Sequence, residues 1–396
     1  MSGLLPLEEA QARLLALAPV LGSEEVAIEA AVGRVLAQDL RTARTQPPAD
    51  LSAMDGFAVA GEGPWTLVGE SRAGAPFDGV LAGGEAIRIS TGAFMPRGGD
   101  SVLIKENAQV EGTALSTDEP PASRAHVRAR GFDFAQGDVA LSRGTRIGPA
   151  QLAVAMAAGH ARLTVGKQPK VAVLDSGDEL SADPTACEPH QIPASNGAMI
   201  AAMLAPLVGH CERLGPVGDS MEALADALAH AGDCDVLITS GGASVGDHDL
   251  VQAALVEWGA DLAFWKVAIK PGKPLMVATR EVGGRRQVVL GLPGNPVSSF
   301  VTAFLFALPL VRQLLGASNP LPQARMAIAA EPLPATGARR EFLRGISDGA
   351  SVRLAASQDS SALMALAQTN CLIDRVAASP ETGAGDAISV YCLENG

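Results

Sequence analysis

Apolar positions near the start of the chain recur at helical spacing. In "EEAQARLLALA", Leu14, Leu15 and Leu17 fall close together on one side of a helix. The helical reading extends to about Thr45, where the texture changes. From "TQPPAD" to about Arg143 the chain is rich in glycine, proline and short β-branched runs such as "AIRIST" and "SVLIKE", which predicts a small β domain. A helix and a short strand return in "GTRIGPAQLAVAMAAGHARLTV", so the β domain reads as an insertion into an N-terminal helical unit.

Between Lys170 and Gly316 the pattern alternates between short apolar strands ("VAVL", "DVLITS", "FWKVAIK", "VVLGL") and helices ("NGAMIAAMLAPLVG", "MEALADALAHAG", "HDLVQAALVEWG", "PVSSFVTAFLFALPLVRQLLG"). That rhythm predicts a mostly parallel sheet covered on both faces, with ligands beyond the carboxyl ends of its strands. A proline-rich linker, "GASNPLPQAR", leads to "REFLRGI", "VRLAAS" and "AISVYCLE", strand-like runs with one helix at "SALMALAQ", and hence to a small β-rich C-terminal domain. The expected division is 1–45 with 144–168, 46–143, 169–317 and 318–396.

Composition narrows the function. The 396 residues carry a formal net charge of −13, which argues against a nucleic-acid or polybasic membrane-surface binder but leaves room for a small anion where cations gather locally. The N-terminus has acids where a signal peptide needs bases, and the apolar run from Phe300 to Val311 is too short to span a bilayer, so a cytoplasmic protein is expected. Five scattered cysteines suggest a reducing compartment, and the six histidines form no ligand-spaced pair, so any metal would be a hard cation on carboxylates.

Four loops follow predicted strands. "DSGDEL" offers Asp175, Asp178 and Glu179, but on pattern alone it reads first as a turn with solvated acids. "TSGGASVGDHDL" brings Gly241, Gly242 and Ser244 before a helix start, a ready anion site; of Asp247 and Asp249 one suffices as a cap, leaving the other for Mg²⁺. Its "GASVG" also fits a hydrolase nucleophile elbow, but no histidine follows His248. In "FWKVAIKPGKP" strand alternation puts Lys266 and Lys270 on one face, and with Lys273 they suggest an oxyanion site, because like charges repel unless an anion lies between them. In "LPGNPVSSF", Pro293 precedes Asn295, placed to cap a helix that begins with Pro296, and the free N–H groups of that helix would face the same crevice.

Six segments, "PPADLSAMDGFAVA", "RISTGAFMPRGGDSVLIKEN", "VLDSGDEL", "TSGGASVGDHD", "KVAIKPGKP" and "GLPGNPVSSF", stand in the order and spacing of the molybdopterin molybdenumtransferases, the MoeA family related to the E domain of gephyrin, which the chain resembles along nearly its whole length. The resemblance implies a multidomain α/β plus β fold: a three-layer, molybdopterin-binding α/β domain, an inserted β domain, an N-terminal mixed domain and a C-terminal barrel-like β domain. It implies an enzyme that hydrolyses adenylyl-molybdopterin with Mg²⁺, transfers molybdate to the dithiolene and releases AMP. It further implies a homodimer with the active site between subunits, and a molybdopterin adenylyltransferase and molybdoenzymes as maturation partners. By resemblance, Asp55, Glu179, Asp219 and Asp249 are functional acids, with Glu179 and Asp249 toward the metal. Lys266 and Lys270 resemble the lysines that meet molybdate or phosphate, Arg344 and Ser360 complete the oxyanion site, and Thr91, Arg128 and Asp133 resemble further cleft residues. The competing readings are a molybdopterin adenylyltransferase, whose single domain resembles residues 170–316, and a non-catalytic binding or scaffold protein.

Overall fold

The computed structural model describes residues 4–241 and 250–393. Its first helix, α1 (Leu7–Leu17), buries Leu7, Ala10, Gln11 and Leu14, the i, i+3, i+4, i+7 face of one helix side. Leu14 lies at the centre of that face and Leu15 and Leu17 at its margin. The helical reading overreached beyond residue 17. Ser23–Ala27 is a strand, and it pairs antiparallel with Arg162–Gly166. The two arms of the chain that flank the inserted β domain therefore meet in one ladder. The insert itself is a six-stranded sheet built from segments between Gly56 and Ser116.

The central unit holds β1 (Lys170–Ser176), α2 (Ser195–Leu204), β2 (His210–Val217), α3 (Met221–His230), β3 (Val236–Ser240), α4 (Leu250–Glu257), β4 (Asp261–Trp265), β5 (Met276–Val282), β6 (Arg285–Leu292) and α5 (Pro296–Leu314). Strand order is β2-β1-β3-β6-β5-β4, with β2, β1, β3 and β6 parallel and β5 and β4 antiparallel at one side. Alternation along β1 sends Val171 and Val173 into a core with α2 and α5, and Ala172 and Leu174 into another with α3 and α4. The sheet is thus the middle of three layers. β2 was invisible as a strand because "HCERLGPV" lies at an edge and carries charge.

α5 is 19 residues long with mean hydropathy 1.5, long enough to cross a membrane by composition, but it is 89% buried inside the fold. Its middle, Ala303–Ala307, is a π-helical turn just before Pro309. Proline has no N–H to offer the Leu305 carbonyl one turn back. The buried Gln11 side chain of α1 donates to that carbonyl instead, at 2.9 Å.

The C-terminal strands are β7 (Arg325–Ala329), β8 (Arg340–Ser347), β9 (Ser351–Leu354), β10 (Cys371–Arg375) and β11 (Ala387–Cys392). The order β8-β9-β7-β11-β10 closes through a β8–β10 ladder into a five-stranded barrel. Phe342, Leu372 and Tyr391 on its outer face join the core of α1 and α5. Arg340 forks onto the Asp374 carboxylate at 2.6 and 2.5 Å and also pairs with Glu8 of α1, tying the barrel to the first helix.

Candidate functional site

Three parallel strands end level with one another. Asp175 of β1 stands beside Ser240 of β3, and Ser240 beside Leu292 of β6. From β1 the chain runs to α2 on one face of the sheet; from β3 it runs to α4 on the other. Connections that part in this way open a crevice at the strand ends. Gly241 lines it with φ +95, its N–H donating to the Leu292 carbonyl at 3.2 Å. A Cβ there would sit 2.9 Å from the Ser176 carbonyl oxygen, so the close approach requires glycine. Gly242, Ser244, Asp247 and Asp249 lie outside the described residues.

The loop after β1 folds back on itself. The Glu179 carboxylate lies over Gly177, where a Cβ would come within 2.5 Å of its Oε2. Asp178 accepts the Asp219 N–H at 2.9 Å, bringing the start of the β2–α3 connection to the same loop. Glu179 and Asp219 are therefore brought to one end of the sheet. Beneath them Asp175 is only 3% exposed and accepts the Gly197 N–H of α2 at 3.1 Å. Burial pushes its carboxyl up to about 6, against that hydrogen bond and the charge of Arg213. Next to it, Asn196 donates to the Gly294 carbonyl at 2.6 Å and clamps α2 to the loop after β6.

That loop leads into α5. Asn295 occupies the cap position and Pro296 the first turn, but the Asn295 side chain makes no capping bond. It donates instead to Ser360 Oγ at 3.3 Å, while the Val297 N–H donates to the Ser360 carbonyl at 3.1 Å. The barrel loop thus seats on the helix start, and the expected side-chain cap is replaced by a contact between domains. Arg344 does not face the crevice. It is 1% exposed and donates to the carbonyls of Ser357 (3.1 and 2.8 Å) and Asp359 (3.0 Å), holding the loop that presents Ser360.

The lysine segment departs from the expected single strand. β4 ends at Trp265, Lys266 turns the chain at φ +69, and Ile269–Lys270 joins the barrel beside Arg340 and Glu341. Alternation of burial survives the break: Val267 and Ile269 are fully buried, while Lys266 and Lys270 stay on the outward side. Each of the two lysines has a partner of its own. Lys266 Nζ lies 4.9 Å from the centre of the Trp265 ring, and Lys270 pairs with Glu341 at 3.2 Å. Lys273 is exposed. The Pro-Gly corner has a packing reason as well, since a Cβ on Gly272 (φ +103) would meet Thr302 of α5 at 2.5 Å.

In the inserted domain Thr91 donates to the Asp55 carboxylate through its N–H (2.7 Å) and hydroxyl (3.0 Å), which holds that exposed carboxyl below the usual range. Arg128 pairs in a short ladder opposite Leu51 and stacks 5.9 Å from the exposed Phe132 ring, and Asp133 follows on the surface. Among the described residues no hydrogen bond or ion pair joins Asp55, Thr91, Arg128 or Asp133 to the crevice. Sequence reasoning missed Glu341 as the partner of Lys270, and Asn196 as the clamp on Gly294. The one available signal for Glu341 was that it is the single acid in its barrel strand, "REFLRGIS".

Comparison with known proteins places these elements. Residues 5–159 match the model for the MoeA N-terminal region (domain I and II), residues 172–313 a probable molybdopterin binding domain, and residues 326–393 the MoeA C-terminal region (domain IV). The chain is 32% identical to a molybdopterin molybdenumtransferase of Haemophilus influenzae over 98% of both chains. It is 33% identical to one of a Nostoc species, covering 90% of this chain and 86% of the relative. The crystal structure of a molybdopterin biosynthesis moeA protein from Pyrococcus horikoshii superposes with a TM-score of 0.84 at 26% identity, covering 99% of this chain and 100% of the other.

Proposed function

The chain belongs to the molybdopterin molybdenumtransferase family, enzymes of molybdenum-cofactor biosynthesis, and from that premise we propose that it hydrolyses adenylyl-molybdopterin, releases AMP and transfers molybdate to the dithiolene. The observation that carries this reading is the level ending of three parallel strands beside the start of α5, on which Ser360 of the barrel seats. Such a crevice sets the positive end of the α5 helix dipole toward an anion.

In this reading the phosphoanhydride lies along the strand ends, beside Gly241. Lys266 and Lys270 stand where the molybdate charge is compensated, in a chain of net charge −13. When molybdate arrives, Lys270 exchanges Glu341 for the oxyanion. Water attacks the phosphoanhydride phosphorus, the bridging P–O bond breaks, AMP leaves, and a crevice carboxylate takes the proton from the water. Among the described residues no cluster of three metal-ligating side chains exists. Mg²⁺ needs only one or two carboxylates beside substrate phosphates and water, and the oxygen-only donors of the crevice fit it. Glu179 would hold the ion together with Asp249, and the ion would neutralise phosphate charge.

Among the described residues, Asp55, Thr91, Arg128 and Asp133 make no hydrogen bond toward the crevice of their own chain. In a homodimer they would line the crevice of the second copy. Lys266→Ala and Lys270→Ala should each lower molybdate-dependent turnover by about 10²-fold or more while leaving circular dichroism unchanged. Unchanged turnover in both variants would sink the oxyanion assignment.

A further inference from the structure

We propose that Cys371 and Cys392 are a built-in thiol pair that a hydroperoxide converts to a disulfide across the β10–β11 ladder of the barrel, independently of the reaction above. Cys371 opens β10 and Cys392 closes β11, and the two stand directly opposite in an antiparallel ladder. In the same register the Leu393 N–H donates to the Asn370 carbonyl at 2.8 Å. Pairs alternate along such a ladder, so Asn370 with Leu393 is a hydrogen-bonded pair and Cys371 with Cys392 is a non-hydrogen-bonded one, with Cα atoms about 4.5 Å apart. Disulfides span Cα separations of about 4.4–6.8 Å.

The side chains share a face. Two residues along, Ile373 and Val390 oppose each other and both sit in the barrel core, whereas the intervening Leu372 and Tyr391 point into the core of α1 and α5. Period-two alternation therefore sends both thiols to the barrel's inner side. With both thiols free, the Cys371 Sγ leans toward Gly345 of β8, where a Cβ would come within 2.8 Å of it, so closing the bond takes a turn about χ1 toward β11.

The two thiols are unequal in a useful way. Cys371 is fully buried, and burial pushes its thiol up to about 11. Cys392 is exposed at the barrel end and meets the oxidant first. Its thiolate attacks the hydroperoxide O–O bond and becomes a sulfenic acid while hydroxide or alkoxide leaves; Cys371 then displaces water from that sulfenic acid to close the S–S bond. The peroxide is reduced and the thiol pair is oxidised. Cys187, Cys211 and Cys234 face no second thiol in any described ladder. The pair lies one strand from Arg344, which neighbours Gly345 and holds the loop bearing Ser360, so the cross-link would brace β10, the strand that pairs with the one carrying Arg344.

The test is intact-protein and peptide mass spectrometry of the full chain, treated with tert-butyl hydroperoxide, unfolded, and alkylated with iodoacetamide. The wild type should lose two alkylation sites and yield a Cys371–Cys392 cross-linked peptide that dithiothreitol reverses. Cys392→Ser should give no cross-link, and Cys371→Ser should leave a sulfenic acid at Cys392 that dimedone traps. A wild type in which Cys392 is oxidised while Cys371 is still fully alkylated would overturn the proposal, as would a Cys392 that resists the peroxide.

Discussion

Replacing Asp175 by asparagine should make the protein more stable at neutral pH. Asp175 ends β1 inside the fold, and burial lifts its carboxyl from the ordinary 3.8 to about 6. A carboxyl raised in the folded state favours its protonated form there. The stability it contributes is full below about pH 4 and is lost as the pH rises through about 6. At about 1.36 kcal/mol per pH unit, the ionised side chain costs about 3 kcal/mol by pH 7.5. Asparagine removes the charge and keeps an oxygen to accept the Gly197 N–H. Urea unfolding followed by tryptophan fluorescence reports on this unit through Trp258 and Trp265. Asp175→Asn should gain up to about 3 kcal/mol at pH 7.5 and converge with the wild type near pH 4. A wild type equally stable at pH 4 and pH 7, or an asparagine variant weaker at pH 7.5, would refute the reasoning.

Other consequences are as direct. Gln11→Leu leaves the buried Leu305 carbonyl without its donor and should cost about 1–3 kcal/mol in chemical unfolding; a neutral result would mean that α5 satisfies that carbonyl itself. Gly272→Ala forces a Cβ against Thr302 at a left-handed backbone position and should cost about 1–3 kcal/mol, read as a lowered melting temperature.

The α/β unit and the loops at its strand ends were readable because buried parallel strands announce themselves as apolar runs, and because glycine and proline mark those loops. β1, β3 and β6 with Gly241, Asn295 and Pro296 all follow from that pattern. The strand at residues 23–27 was hidden because "SEEVA" is exposed and has one half-buried position, and its pairing with residues 162–166 is decided by a partner distant in the chain. The break at Lys266 was hidden for a different reason. Burial alternates through it as in a continuous strand, while the positive φ that hands the chain from the sheet to the barrel sits on a lysine, a residue that gives no warning of it. Arg344 was singled out by resemblance alone, as part of an oxyanion site, and no local pattern showed that the carbonyls of Ser357 and Asp359 surround it. The pairing of Lys270 with Glu341 depends on a parallel two-residue ladder between segments 71 positions apart, which no local pattern encodes.

The central claim is most directly tested by AMP release. The purified protein is given adenylyl-molybdopterin and Mg²⁺, with and without low concentrations of molybdate, and AMP is followed by chromatography. The account predicts release that depends on molybdate and on Lys266 and Lys270. A folded protein that binds the adenylate and releases no AMP with molybdate present would contradict it.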